Sequence, residues 1–303
     1  MSYKAAAQTS RRNTRHIKEE SRPMTEPDPS KVTVVNIMAV SFSGSTWLNL
    51  ILGSHSKMFG IGEIKSIQRR GRAVCKLHAD DCPIWSRFDH QSSENPYLQI
   101  SRITGRRILV VNNPREFLGD QAHPAIESRF IHLVRDGRAV ACSILKRHPE
   151  RSIWRAARQW VRSNKKKERI LARHDSAHGF SVIYERLLAD KPAGLARICD
   201  FIGVPFEEEM LEYWKRSPHF LGGNKGTLFS LAKMTNTKLP ELPKGRPGKG
   251  GDLDLNYYDK TTPATFVDER WKTKLSDWQL MIFSVAAGRM NRRYGYTPTL
   301  QRT

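Results

Sequence analysis

Three groups of residues in this sequence have the types and spacing for chemistry on an oxyanion. The first is Ser41-Phe42-Ser43-Gly44-Ser45-Thr46. These side chains are mostly small, so backbone N–H groups can approach a phosphate or sulfate, and the helical pattern that follows turns its positive end to the same spot. It is not the standard loop of nucleoside triphosphatases, which needs a first Gly, four residues and then Gly-Lys-Ser/Thr; both the spacing and the Lys are missing. The second group is Arg135 with Ser143 eight residues later. A guanidinium forks onto a phosphate, and one to two helical turns bring a hydroxyl alongside it. The third is Glu63, about twenty residues beyond the loop, where a carboxylate returning to the mouth of the site can take a proton from a hydroxyl. Read alone, Glu63 also suits an exposed loop or a helix N-terminus.

The elements that must hold these groups follow from the apolar pattern. Residues 32–40 are an apolar, β-branched run short enough for a strand buried on both faces of a parallel sheet, and the loop and a helix come next. After the helix exit at Gly53-Ser54-His55-Ser56, residues 59–63 read as a Gly-flanked loop carrying Glu63. Residues 107–111 are a second strand ending in Asn112-Asn113-Pro114-Arg115. Residues at the carboxyl ends of parallel strands point into the ligand crevice, so Arg115 is a candidate cation there, or else a surface residue after a turn. Residues 130–134 are a third strand running into a helix, and 179–184 a fourth, followed by helical sequence to 201. Residues 151–173 read as a helix with a basic stripe (Arg155, Arg158, Arg162, Lys165 or Lys166, Arg169, Arg173), while Trp154, Ala157, Val161 and Leu171 fall on an inward face. Ser276 with Gln279 three residues on is a capping box for a last helix. The fold expected is α/β: a P-loop-like, doubly wound parallel sheet flanked by helices, one domain over residues 31–303.

The chain has 303 residues, 39% apolar, with a net charge of +21. That length supports one large core. Residues 1–30, with Pro23, Pro27 and Pro29, read as a disordered polar tail. The tail carries six basic residues against four acids, so nearly all the positive charge lies on the folded part. A basic domain favours an anionic ligand or acceptor, and it also invites a nucleic-acid reading. The basic stripe lacks interleaved aromatics, which speaks against stacking on single strands. No apolar run approaches a membrane span, and a cytoplasmic location is expected. Four cysteines are too few for a disulfide scaffold, in keeping with a reducing compartment. Cys75-x2-His78-x3-Cys82 offers only three metal ligands; a four-ligand pairing needs another Cys or His close by, so no metal site is expected.

Ser43-Gly44-Ser45-Thr46-Trp47-Leu48 resembles the 5′-phosphosulfate loop of sulfotransferases that use 3′-phosphoadenosine 5′-phosphosulfate (PAPS). The likeness runs on through Leu48, Leu50, Leu52, Gly53-Ser54-His55, Gly62-Glu63 and Cys82-Pro83-Ile84-Trp85, and it is closest to the bacterial, carbohydrate and tyrosylprotein branch. The strand end at Arg135 with Ser143 matches the family's 3′-phosphate site, and Tyr184-Glu185, residues 201–206 and the closing Tyr294-Gly295-Tyr296 match later elements. The resemblance implies PAPS as co-substrate and adenosine 3′,5′-bisphosphate as product, with no metal required. It implies Glu63 as general base and Arg115 in place of a Lys that neutralises the leaving oxygen. Ser43, Gly44, Ser45, Thr46 and Trp47 would hold the 5′-phosphosulfate, and Arg135 and Ser143 the 3′-phosphate. Tyr184 becomes a nucleotide contact, and Asn224, Lys225 and Gly226 an element closing over the 3′-phosphate. The acceptor would be a hydroxyl or amine on a carbohydrate or other small molecule.

Three departures from the family stand out. Phe42 occupies the position where relatives place Lys or Arg, and a Phe cannot stabilise a leaving phosphate; Lys65 is another cation that could replace it. Gly137 stands where relatives usually have Pro, read as a small change in a turn. A long basic, Pro/Gly-rich loop is expected over 228–265, as a lid, a binding element or disorder, with Lys249 a rival to Lys225 for the phosphate. Two other functions are compatible with the pattern: a nucleotide or small-molecule kinase, which should need magnesium and a loop Lys, and a basic nucleic-acid-binding protein.

Overall fold

The strand-forming runs assemble into one five-stranded parallel sheet of order β2-β3-β1-β4-β5. The strands are β1 (Val32–Ala39), β2 (Met58–Gly62), β3 (Ile108–Asn112), β4 (Ile126–Val134) and β5 (Gly179–Ile183). The computed structural model describes residues 26–65, 67, 72–112, 121–236 and 268–297. Arg115, Lys249, the tail before residue 26 and the basic loop over 237–267 lie outside them.

All eight residues of β1 are buried, as its unbroken apolar run requires of a central parallel strand covered on both faces. Its neighbours are β3 on one side and β4 on the other, with Ala39 level with Leu133. Because β1 is flanked by strands from opposite halves of the topology, the loops leaving β1 and β4 open side by side at the carboxyl edge, where open α/β sheets bind ligands. The register carries this outward: Val134 of β4 pairs with Ile183 of β5, and Gly62 of β2 with Val111 of β3. Arg135, Tyr184 and Glu63 therefore each leave the sheet at the same edge.

Helix α1 (Ser45–Gly53) follows β1, and α2 (Pro96–Thr104) precedes β3. Helices α3 (Gly137–Arg147) and α4 (Ile153–Leu171) follow β4. Beyond β5 come α5 (Tyr184–Ala189), α6 (Lys191–Ile202), a 3-10 stretch (Glu208–Lys215) and α7 (Lys225–Met234). A short α8 (Trp271–Lys274) and α9 (Asp277–Arg293) close the described chain. Ser276 and Gln279 form the expected capping box at the start of α9. Among the described residues no helix is long and apolar enough to cross a membrane.

Several expectations are corrected. Residues 58–62 are an edge strand rather than a loop, because the glycines there serve packing: a Cβ on Gly60 would lie 2.7 Å from Asn49 Oδ1. Residues 228–234, expected to begin the long loop, are helical in α7. Gly137 is the first residue of α3, not part of a turn. The inward face of α4 is Ile153, Ala156, Ala157, Trp160, Asn164 and Lys167, a run at three- and four-residue steps. Trp154 sits off that stripe and is 44% exposed, with the Arg158 guanidinium 5.6 Å from its ring. The basic stripe of Arg155, Arg158, Arg162, Lys165, Lys166 and Arg169, with Arg173 just beyond the helix, faces solvent, as a charged face should, while Lys167 is buried.

Candidate functional site

The loop after β1 is shaped by two left-handed residues. Ser43 N–H donates to Val40 O at 3.1 Å, with Phe42 at φ +70° and Gly44 at φ +88°. Gly44 is the N-cap of α1 and, having no side chain, caps nothing. The first intrahelical bond runs from Leu48 N–H to Gly44 O at 3.0 Å. The amides of Ser45, Thr46 and Trp47 precede it and have no intrahelical acceptor, which together with the helix dipole makes an anion cradle.

Gly44 is required sterically as well as conformationally. A Cβ there would lie 2.4 Å from Cε2 of Tyr184, the first residue after β5. The Tyr184 ring meets Trp47 edge-on at 5.6 Å, and the Arg135 guanidinium carbon lies 5.1 Å from its centroid. Loop, Tyr184 and Arg135 thus form one packed unit.

Arg135 is buried at the end of β4. Its Nη1 donates to Phe42 O at 2.8 Å, so the backbone of the loop holds the guanidinium. Its Nη2 donates to Asp268 O and pairs with Asp268 Oδ2, both at 3.1 Å. Asp268 also takes a bidentate pair from Arg270, with both bonds 2.7 Å. Burial pushes the Asp268 carboxyl up, but Arg270 and Arg135 outweigh it and hold the group well below the usual carboxylate range. Two guanidinium groups share the Asp268 carboxylate. Ser143, two turns into α3, lies beside it.

These groups line one cleft enclosing about 740 Å³, open solvent included. Of the residues singled out from the sequence, Gly44, Ser45, Thr46, Trp47, Arg135, Ser143, Tyr184 and Asn224 face it. Ser43 does not: its hydroxyl is buried, with no hydrogen-bond partner among the described residues. Thr46 Oγ1 is already an acceptor for Asn224 N–H at 2.9 Å, and Asn224 caps α7 by accepting from Thr227 N–H. Lys225 and Gly226 begin that helix and are not part of the cleft lining, nor is Lys65. Glu63 leaves β2 outside the lining, against the Gly222 backbone, where a Cβ on Gly222 would lie 2.9 Å from Glu63 Cβ. Arg115 falls outside the described residues. None of the basic residues of α4 lines the cleft.

The sequence reading missed Asp268 and Arg270 as site residues, along with Thr227, Ser230 and Tyr213. Asp268 lies 133 residues from Arg135 along the chain. No local spacing signals that pairing.

Residues 121–208 match the model of the sulfotransferase family. Over that segment the chain is similar to the sulfotransferase family. The matched stretch contains β4, α3, β5 and three residues of the cleft lining, Arg135, Ser143 and Tyr184. No curated protein matches the chain. Among solved structures, the sulfotransferase domain of the Synechococcus PCC 7002 olefin synthase is similar at a TM-score of 0.51 and 20% identity, over 73% of this chain and 94% of that one. This likeness shows the fold, a P-loop-like sulfotransferase α/β sheet. The sulfotransferase domain of the curacin biosynthetic pathway aligns with a TM-score of 0.48 and 20% identity, over 71% of this chain and 94% of that one. A mouse sulfotransferase complexed with PAP aligns with a TM-score of 0.44 and 12% identity, over 89% and 91%.

Proposed function

We propose that the chain transfers the sulfuryl group of PAPS to a hydroxyl or amine acceptor, with a carbohydrate or other small molecule as the acceptor class. The observation that carries this reading is the joining of two anion sites in one cleft: the amide cradle of Ser45, Thr46 and Trp47, and the buried Arg135 beside Ser143. A nucleotide with phosphates at both its 5′ and 3′ positions suits that pair, whereas ATP has no 3′-phosphate to offer the second.

In this reading the cradle amides hold the 5′-phosphosulfate and withdraw charge from the bridging oxygen as the bond to sulfur breaks. Arg135, Arg270 and Ser143 hold the 3′-phosphate, with Asp268 keeping both guanidinium groups oriented. Tyr184 and Trp47 supply flat apolar surface beside the cradle. The acceptor oxygen attacks sulfur in line, Glu63 takes the acceptor proton, and adenosine 3′,5′-bisphosphate leaves. Arg115 is assigned the leaving-oxygen charge that Phe42 cannot meet. The net positive charge favours an acidic acceptor.

Calorimetric titration of the purified protein with adenosine 3′,5′-bisphosphate, ATP and AMP tests this reading, with Arg135→Ala and Ser143→Ala as controls. Micromolar binding that requires the 3′-phosphate and is lost in the Arg135 variant is the expected result. Equal affinity for ATP, or no nucleotide binding, overturns it in favour of a kinase or a nucleic-acid-binding protein.

A further inference from the structure

The three-ligand run Cys75-x2-His78-x3-Cys82 finds its fourth member in His219, brought from 137 residues away. We infer that Cys75, His78, Cys82 and His219 form a structural zinc site that ties the segment after β2 to the segment before α7. The ligand atoms of all four lie within 4.8 Å of one another. Cys75 Sγ is 3.4 Å from His78 Nδ1, and Cys82 Sγ is 3.2 Å from His219 Nδ1. A zinc ion with its usual bond lengths places tetrahedral S and N ligands about 3.6 Å apart, so the two close S–N pairs open slightly and the wider pairs, up to 4.8 Å, draw in as the cluster closes on the ion.

The surroundings are those of a metal knuckle. Both cysteines are fully buried, and both are free thiols. His78 and His219 are half-buried and cover the two thiols from the solvent side. The chain turns sharply inside the cluster: Ala79 N–H donates to Cys75 O at 3.2 Å, and Ala79 sits at φ +49°, a conformation that a residue with a Cβ adopts only when its surroundings enforce it. Leu77 N–H points at Cys75 Sγ at 3.5 Å, the kind of amide contact that favours a thiolate. His78 Nδ1 faces the cluster and its Nε2 meets Ser217 Oγ at 3.2 Å, a hydrogen bond that fixes the ring. Trp85 Nε1–H holds the His219 carbonyl at 2.9 Å.

Two thiolates and two imidazoles in a tetrahedral set select zinc over the hard divalent cations, and four protein ligands leave no open position for substrate. The role assigned is a tie. Phe220, next to His219, is hydrogen-bonded through its carbonyl to Lys76 N–H at 2.7 Å, and Leu221 N–H reaches Ile61 O at 3.0 Å. The chain then passes Gly222 against Glu63 and Gly223 against Thr46. An ion at His219 anchors the strap lying between Glu63 and the loop after β1.

Metal analysis of the full chain, purified under reducing conditions and without chelator, tests the site. About one zinc per chain is expected, or stoichiometric uptake of zinc by the reduced apoprotein, falling below about a tenth in Cys82→Ser and His219→Ala. Replacing zinc by cobalt(II) in the unaltered protein should give the intense visible bands of tetrahedral thiolate coordination, a readout that no variant's folding affects. Chelation should lower the melting temperature, and zinc should restore it. Absence of metal together with no uptake of zinc or cobalt overturns the proposal, as does undiminished zinc in both variants or a Cys75–Cys82 disulfide in the mass of the native protein.

Discussion

Replacing Gly44 by Ala probes the cradle at the point where conformation and contact are both at their limit. At φ +88° a Cβ costs about 1–2 kcal/mol in left-handed strain alone. The same Cβ would lie 2.4 Å from Tyr184 Cε2 and 2.7 Å from Cδ2, closer than real Cβ atoms come. The ring cannot swing away freely, being buried with Trp47 at its edge and Arg135 near its face. Overpacking of that kind costs a further 1–3 kcal/mol, roughly. Gly105 supplies the control, with φ +67° and nothing within 4 Å of its Cβ position, so Gly105→Ala should show the strain cost alone. Urea unfolding of the two variants should therefore separate them by about 1–3 kcal/mol, with Gly44→Ala the weaker. Because any relief displaces the Ser45 and Thr46 amides, its affinity for adenosine 3′,5′-bisphosphate should also fall by about tenfold or more, a loss of about 1.4 kcal/mol. Equal stability of the two variants would refute the tight loop–tyrosine contact. An unchanged affinity would refute the cradle.

Three other perturbations have definite outcomes. His132 is buried and donates from Nε2 to Asn164 Oδ1 at 3.0 Å; burial lowers its pKa from 6.5 to about 4, with nearby Lys167 and Arg293 lowering it further against the Asn164 bond and Glu168. The folded state thus keeps His132 neutral while the unfolded chain protonates, so its contribution is fully present above pH 6.5 and is lost as pH falls toward 4. That shift corresponds to about 3 kcal/mol, and His132→Gln should remove this part of the pH slope of unfolding free energy; an unchanged slope assigns the titration elsewhere. Gly137→Pro should destabilise the protein by about 2–5 kcal/mol. The added carbon meets Phe283 Cζ at 2.7 Å and Trp160 Cδ2 at 2.9 Å, and the Gly137 N–H that donates to Asn291 Oδ1 at 2.9 Å disappears; an unaltered melting temperature would contradict that packing. Glu63→Gln should lower kcat by about 10²- to 10⁴-fold, with donor affinity and melting temperature unchanged. A variant turning over at the native rate would remove Glu63 from the base role.

What the sequence made legible lies within single strand–loop–helix units. The run before Ser41 ends where its apolar residues end, so the anion loop could be placed at a strand's carboxyl edge without knowing any neighbour. The eight-residue step from Arg135 to Ser143 is likewise local, since one strand end and two turns of α3 fix it. Signals that serve tertiary contact were misread. Gly60 and Gly62 look like loop residues, yet Gly60 is small because α1 crosses it at Asn49, and the strand around it is edge β2. Gly137 looked like an incidental change in a turn, yet Phe283 and Trp160 leave no room there for more than a hydrogen. Pairings across the chain left no trace at all. Asp268 meets Arg135 only because the closing segment returns to the β4 edge, and His219 meets Cys82 only because the strap before α7 runs back beside β2. Along the chain, Cys75, His78 and Cys82 have no further Cys or His close by. In space, Leu221 bonded to Ile61 and Lys76 bonded to Phe220 hold His219 beside Cys75, His78 and Cys82, a grouping that spacing along the chain does not reveal.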